Sequence, residues 1–216
     1  MPRIQRLRAL QVFILFVLLV GCQKKASDEI DFGAFNKSVY SNNYFGLTIA
    51  VPEKWSVQDR EAQQRLMKIG TDALAGSDKN LKAVLKASEL QTVTLFAVFE
   101  HPLGTPVAFN PSIMGMAEMV RQMPGIRRGK DYHFQLKKTL ASGQMQISFP
   151  NMGSTERLAG VEFDVLDQEM KVRGVSIRQR YYTIIKKGYA LSFILSFTTD
   201  EEEAPLRKTL QTLAFN

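Results

Sequence analysis

The sequence has one cysteine, two histidines and no uninterrupted apolar run of membrane-spanning length, and each shortage removes a class of protein. A lone Cys22 forbids an intrachain disulfide, so the fold must rest on its hydrophobic core, which a chain of 216 residues is long enough to build. With only His101 and His133, histidine-based chemistry has few players, and no three or four ligands have the spacing of a zinc site. Neither a Gly-x-Ser-x-Gly elbow nor a glycine loop that cradles phosphate is present. No cofactor and no catalytic residue is expected.

Charge of one sign is also scarce. The formal net charge is +7, but Arg3, Arg6 and Arg8 stand before the first apolar run, and without them 25 basic residues face 21 acidic ones. So small and scattered a surplus is no footprint for a polyanion, which sets nucleic acid aside as a partner.

What is present begins with a three-part leader. Met1 to Arg8 carries three arginines and no acid, Ala9 to Val20 is apolar except for Gln11, and Gly21-Cys22 follows. Twelve helical residues reach only about 18 Å, against a hydrocarbon core of about 30 Å. The run therefore has signal-peptide length rather than spanning length. Leu19-Val20-Gly21-Cys22 resembles the bacterial lipobox. That resemblance implies a signal peptide over 1–21, diacylglyceryl transfer to Cys22, cleavage before it, and a cell-envelope protein lipid-anchored outside the cytoplasm. Gln23 in place of an aspartate, by the same resemblance, favours an outer membrane facing the periplasm in a cell that has one. Residues 22–39 are expected to be the lipidated terminus and a flexible tether, with Lys24 and Lys25 beside the headgroups.

The body, 40–216, is expected to be one domain. Phe45, Leu47, Ile49 and Val51 alternate as in a strand with one buried face, and Trp55 to Gln58 is placed back beside it. Helical spacing follows in Ala62, Leu66, Ile69 and Ala73, then in Leu81, Val84, Leu85 and Ser88. Thr92 to Phe99 reads as a central strand. Asn110-Pro111 has the form of an N-cap before a helix that runs to about Met123. A further helix is expected over Lys130 to Ala141, then strands over Met145–Phe149, Val161–Glu169, Val175–Lys186 and Tyr189–Thr198, with a tight turn at Lys187-Gly188. Four acids from Asp200 to Glu203 open a last helix with a Leu206, Leu210, Leu213 stripe, Pro205 limiting how early it begins. Short turns imply antiparallel neighbours. The expected fold class is α+β, an antiparallel sheet of about six to seven strands with helices on both faces.

Tyr44-Phe45-Gly46-Leu47-Thr48-Ile49-Ala50-Val51-Pro52-Glu53-Lys54-Trp55 resembles the opening of PsbP-like domains. The ending agrees: Gly160 before a long strand, Arg180-Tyr181-Tyr182 within another, the Gly188 hairpin and a closing amphipathic helix. The resemblance implies an αβα sandwich that works by binding rather than catalysis. It spans about half the domain and carries over no functional residue.

Four groups remain as candidate sites. Asp131 and His133 have the residue types of a base and its orienting acid, but two-residue spacing on a helix separates them, which favours a partly buried structural histidine. Glu100-His101 ends a strand before Pro102 and reads as an exposed pair. Met116, Met119 and Met123, with Met114 near, follow helical spacing that fits either Cu(I) ligation by thioethers or ordinary packing. Arg127, Arg128 and Lys130, after Arg121, form the densest basic cluster, suited to an anionic membrane or an acidic partner. The leading expectation is a non-enzymatic, membrane-tethered binding or assembly module with an envelope protein as partner. An envelope hydrolase whose site forms only in three dimensions, and a small-ligand or lipid carrier, are the alternatives.

Overall fold

A computed structural model describes residues 30–151 and 153–216. The leader, the lipobox and most of the expected tether, including Lys24 and Lys25, lie outside the described residues. Among the described residues, no helix is long and apolar enough to cross a membrane.

The chain forms β1 (Ala34–Asn36), β2 (Val39–Asn42), β3 (Leu47–Ala50), β4 (Ser56–Val57), α1 (Arg60–Ala75), α2 (Lys79–Glu89), β5 (Thr92–Phe99), β6 (Ser112–Met119), α3 (Gly129–Ala141), β7 (Ile147–Ser148), β8 (Ser154–Leu158), β9 (Val161–Val172), β10 (Val175–Lys186), β11 (Tyr189–Phe197), α4 (Asp200–Leu210) and β12 (Ala214–Phe215). The main antiparallel sheet runs β4-β5-β6-β11-β10-β9-β7, with β8 also on β9, and β1-β2-β3-β12 make a smaller sheet. The β8-β9, β9-β10 and β10-β11 connections are two-residue turns, Ala159-Gly160, Arg173-Gly174 and Lys187-Gly188. Both residues of each turn have positive φ. That is the type I′ geometry whose twist matches the flanking strands.

Register assigns the faces. Tyr182 pairs with Phe193, Phe193 with Gly115 and Gly115 with Phe96, so these share one face. Against it lie Tyr40, 4.9 Å from Phe96 between ring centroids, and Phe45, 5.7 Å from Tyr189. The smaller sheet therefore covers this face together with α4, whose Leu206 and Leu210 are buried. Phe96, Phe163 and Phe193 are fully buried here, each contributing about 2–3 kcal/mol. The opposite face carries Thr183, Ser192, Met116 and Glu118. The α2 residue Ser88 and the α3 residue Tyr132 both donate to Glu118, and Gln144, just past α3, bonds the Leu74 carbonyl of α1. Helices α1 to α3 thus cover the second face, and the α+β architecture has helices on both.

Several local expectations are corrected. Residues 111–123 are not a helix: Ser112–Met119 is a central strand between β5 and β11. Its buried residues Ile113 and Ala117, with Gly115 between them, follow period two. Phe96 packs against Gly115 where a Cβ would come within 2.5 Å. Asn110 caps no helix; its side chain bridges the main chain of His101. Trp55–Gln58 joins β5 rather than β3. The ordered body starts inside the expected tether, since Ala34–Asn36 pairs with Val39–Ser41. Helix α4 begins five residues before Pro205, because Thr199 and Glu202 form a capping box and Leu206 and Leu210 anchor it, while Leu213 is buried past the helix end rather than on its stripe. On α1 the buried residues are Ala62, Gln63, Leu74 and Ala75. Ile69 there and Val84 on α2 point outward, 65% and 58% exposed.

Candidate binding groove at the edge of the sheet

The structure uses most of the sequence-level candidates for local bonding. Asp131 accepts from the backbone N–H groups of Arg127 and Arg128 at 3.0 and 2.9 Å. These bonds hold its carboxyl below the usual range and close the start of α3. His133 points the other way, into the sheet. It is buried, and its Nε2 pairs with the Thr183 hydroxyl at 2.9 Å. Thr183 in turn meets Ser192 at 2.8 Å. Burial pushes the imidazole pKa down to about 4. Asp131 and His133 are not brought together.

Within the basic cluster, Arg128 is engaged by Glu162 and Asp164, both at 3.2 Å, while Arg127 and Lys130 are exposed. Arg121 lies elsewhere, over the Tyr189 ring. The methionines lose their common face with the helix that was expected to present them. On strand β6, Met116 and Met119 are three apart and so project to opposite faces, and Met123 follows in a turn. His101 presents its main chain to Asn110, and Glu100 donates its N–H to the Pro111 carbonyl.

A different region gathers exposed apolar surface. A groove of about 590 Å³ runs between α1, the end of α2 and the first half of β5. Phe32, Met67, Leu90 and Val93 supply its apolar lining, and Arg60, Lys86 and Glu89 its charges. Leu90 is 89% exposed and Phe32 46%. The Arg60 guanidinium stacks 3.4 Å above the Phe32 ring centroid, a favourable cation–π geometry. Partial burial there lowers the guanidinium pKa from its usual value. Phe32 is itself fixed from behind, its carbonyl accepting from the Tyr40 hydroxyl at 2.6 Å. Burial pushes that tyrosine's pKa up to about 12. Glu89 accepts from Thr71 and keeps its negative charge, so the two cations Arg60 and Lys86 outnumber one carboxylate in the groove lining. Gln63 is buried, spends its Nε2 on the Gln58 carbonyl at 2.9 Å, and has no donor for its Oε1.

Sequence reading missed this groove although signals existed. Leu66, Met67, Ile69 and Leu74 spread around α1 more widely than one buried stripe requires, and Phe32 is an aromatic among the polar residues before β1. Neither signal identifies the facing element, because the α1–β5 juxtaposition is tertiary.

Comparison with solved structures bears on the fold. The solution structure of cyanobacterial PsbP (CyanoP) from Synechocystis sp. PCC 6803 is similar with a TM-score of 0.51 and 13% identity, covering 85% of this chain and 96% of that one. The fold is PsbP-like. LpqN of Mycobacterium tuberculosis, a protein involved in cell envelope biogenesis, is similar with a TM-score of 0.43 and 12% identity, over 79% of this chain and 83% of that one. No family model matches the sequence, and no curated protein sequence matches it. At these identities the PsbP-like likeness speaks to the sheet and its helical layers, while the groove has to be argued from its own residues.

Proposed function

We propose that the protein is a non-enzymatic binding module of the bacterial cell envelope, held at a membrane by lipid on Cys22 and presenting the Phe32–Arg60 groove to a protein partner. The observation that carries this reading is the place where the chain enters the fold. Phe32, the aromatic wall of the groove, stands ten positions after Cys22. Ten residues span at most about 36 Å, so an anchor at Cys22 keeps the groove close to the bilayer and to other membrane-held proteins. Two or three acyl chains at ~0.8 kcal/mol per buried methylene hold such a module for good. The exposed Leu90, Ile69 and Val84 on the same helical layer give a partner apolar surface to cover.

Two measurements test the reading. Labelled palmitate should enter the wild-type protein and not Cys22→Ser, and the wild type should sediment with membranes while Cys22→Ser is released. An intact Met1 terminus, or an unmodified thiol at Cys22 in native material, refutes the anchor. Crosslinking from position 64, on the groove lining, should capture a discrete protein in the envelope, and substitution of Leu90 by Glu should abolish that adduct. An adduct that persists in the variant removes the groove from the function.

A further inference from the structure

The first half of β5 has an open side. Strand β4 pairs only with Val98 and Phe99, and the Gln58 N–H extends that contact to the Ala97 carbonyl. Among the described residues no strand pairs with Thr92–Leu95 on the side away from β6. Yet this stretch is not folded away: Thr92, Val93 and Thr94 are half-buried and form the floor of the groove. The carbonyl of Thr94 faces outward, where the Arg60 Nη1 donates to it at a long 3.4 Å. Antiparallel strands turn the N–H and C=O of alternate residues to the same side, so Thr92 presents its pair in the same direction. A register shift between Thr94 and Phe96 ends the open stretch.

An unpaired edge in a groove with apolar walls is the geometry of strand addition. The main chain supplies the hydrogen bonds, and flanking pockets read alternate side chains. We propose that Thr92–Leu95 is the docking edge for an extended, acidic peptide segment of the envelope partner. This deepens the binding-module reading and rests on it. Four residues of strand measure about 13 Å, enough for two outward main-chain pairs. Phe32 and Met67 on one wall and Leu90 on the rim then receive apolar side chains. The sign of the peptide follows from charge. Among the described residues no carboxylate lies within ion-pair distance of Arg60, and Lys86 adds a second cation, so the lining stays net positive although Glu89, bonded to Thr71, keeps its charge. The buried Gln63 Oε1, lacking a donor, offers an acceptor at the groove floor.

The probe is a dye-labelled, capped octapeptide that alternates valine with glutamate, compared with one carrying lysine in place of glutamate, both titrated into the detergent-solubilised full chain. The glutamate peptide should bind about tenfold more tightly, as one charge-assisted contact warrants, and should slow amide exchange at Thr92 and Thr94. Thr94→Pro, which removes an outward N–H, should abolish binding with the unfolding midpoint retained. Arg60→Glu, a surface change that leaves the core intact, should reverse the preference toward lysine. Equal affinity for both peptides without slowed exchange at Thr92 and Thr94 overturns the proposal. So does protection of that edge by self-association, or by phosphatidylglycerol vesicles, in place of peptide. Failed palmitate labelling would sink the anchored envelope module while peptide protection of the edge stood; failed peptide binding would sink the edge and leave the anchor untouched.

Discussion

The Nε2 of His133 on α3 lies 2.9 Å from the Thr183 hydroxyl of β10, so the helix is fastened to the sheet through a ring that has left water. Burial holds this imidazole neutral down to about pH 4, with the Asp164 carboxylate pulling the other way and Lys137 adding slightly to the depression. In the unfolded chain the same ring protonates near pH 6.5. Between those values the unfolded chain binds a proton that the fold does not, so stability falls as pH drops from about 7 to 4 and levels off below. The depression corresponds to on the order of 3 kcal/mol. Urea unfolding of wild type and His133→Gln at about pH 7.5 and 5 isolates the effect, since other groups titrate in both. An identical acid loss in the two proteins would show that His133 does not contribute.

Gly129 opens α3 where the helix touches β10. A Cβ there would overlap the Thr183 carbonyl oxygen and stand 3.0 Å from the Asp164 Cβ. Helix propensity alone makes Gly129→Ala stabilising by up to ~1 kcal/mol. Overpacking against backbone predicts the opposite sign, a loss of about 1–3 kcal/mol. Thermal unfolding decides between them, and a raised midpoint would mean that α3 can lift from the sheet at little cost.

The contrast between β11 and β6 explains what the sequence could disclose. Along β11 large residues, Leu191, Phe193 and Leu195, alternate with Ala190, Ser192 and Ser196, and the strand is legible by eye. Along β6 the alternation is Ile113, Gly115, Ala117 against Met114, Met116, Glu118, and two small residues on the buried side mute the period. Methionines, which suit either element, then line up as a helix face. Gly115 is small because Phe96 occupies its space, a fact about another strand. The same holds for the groove: Arg60, Phe32 and Thr94 are far apart in sequence, and only the short reach of β4 leaves the edge open. His133 was legible as a structural residue from its helical position, but Thr183, its partner, was not.

Arg180 supports a second, wholly structural network. Its Nε meets Asp167 at 2.6 Å and its Nη1 meets Glu203 of α4, while Arg207 holds Glu156 at 2.8 Å and the Tyr182 hydroxyl at 2.8 Å. The side chains of Asp167 and Glu203 are 16% and 13% exposed. Arg180→Met should therefore cost about 3–5 kcal/mol by leaving two half-buried carboxylates short of a partner. Arg207, 3.9 Å from Glu203, offsets only part of that. Burial is the largest single influence on the Asp167 carboxyl and raises its pKa, but hydrogen bonds from Arg180 and Asn151 together with the charges of Arg180 and Arg207 lower it in the fold. Its contribution is thus present above the unfolded carboxyl value and fades as pH falls through the folded one. The gap between wild type and Arg180→Met should be widest near neutrality and narrow below about pH 4. A gap independent of pH would assign the loss to packing of the arginine stem.

Asn110 shows how a residue that reads as a helix start instead closes a loop. Its Oδ1 accepts the His101 N–H at 2.9 Å and its Nδ2 donates to the His101 carbonyl at 2.8 Å, which clamps both ends of the β5-β6 connection. Asn110→Ala removes both bonds, each worth about 1 kcal/mol net, but water can reach this part-buried position and replace some of them. The expected result is local: faster amide exchange at His101 and protease nicking within 102–109, with the global midpoint shifted little. Asn110→Asp keeps the acceptor and loses the donor, so its His101 exchange should lie between the other two. If His101 exchanges as slowly in Asn110→Ala as in the wild type, the bridge is not what holds the loop, and the Glu100 N–H to Pro111 carbonyl bond at 2.9 Å carries it instead.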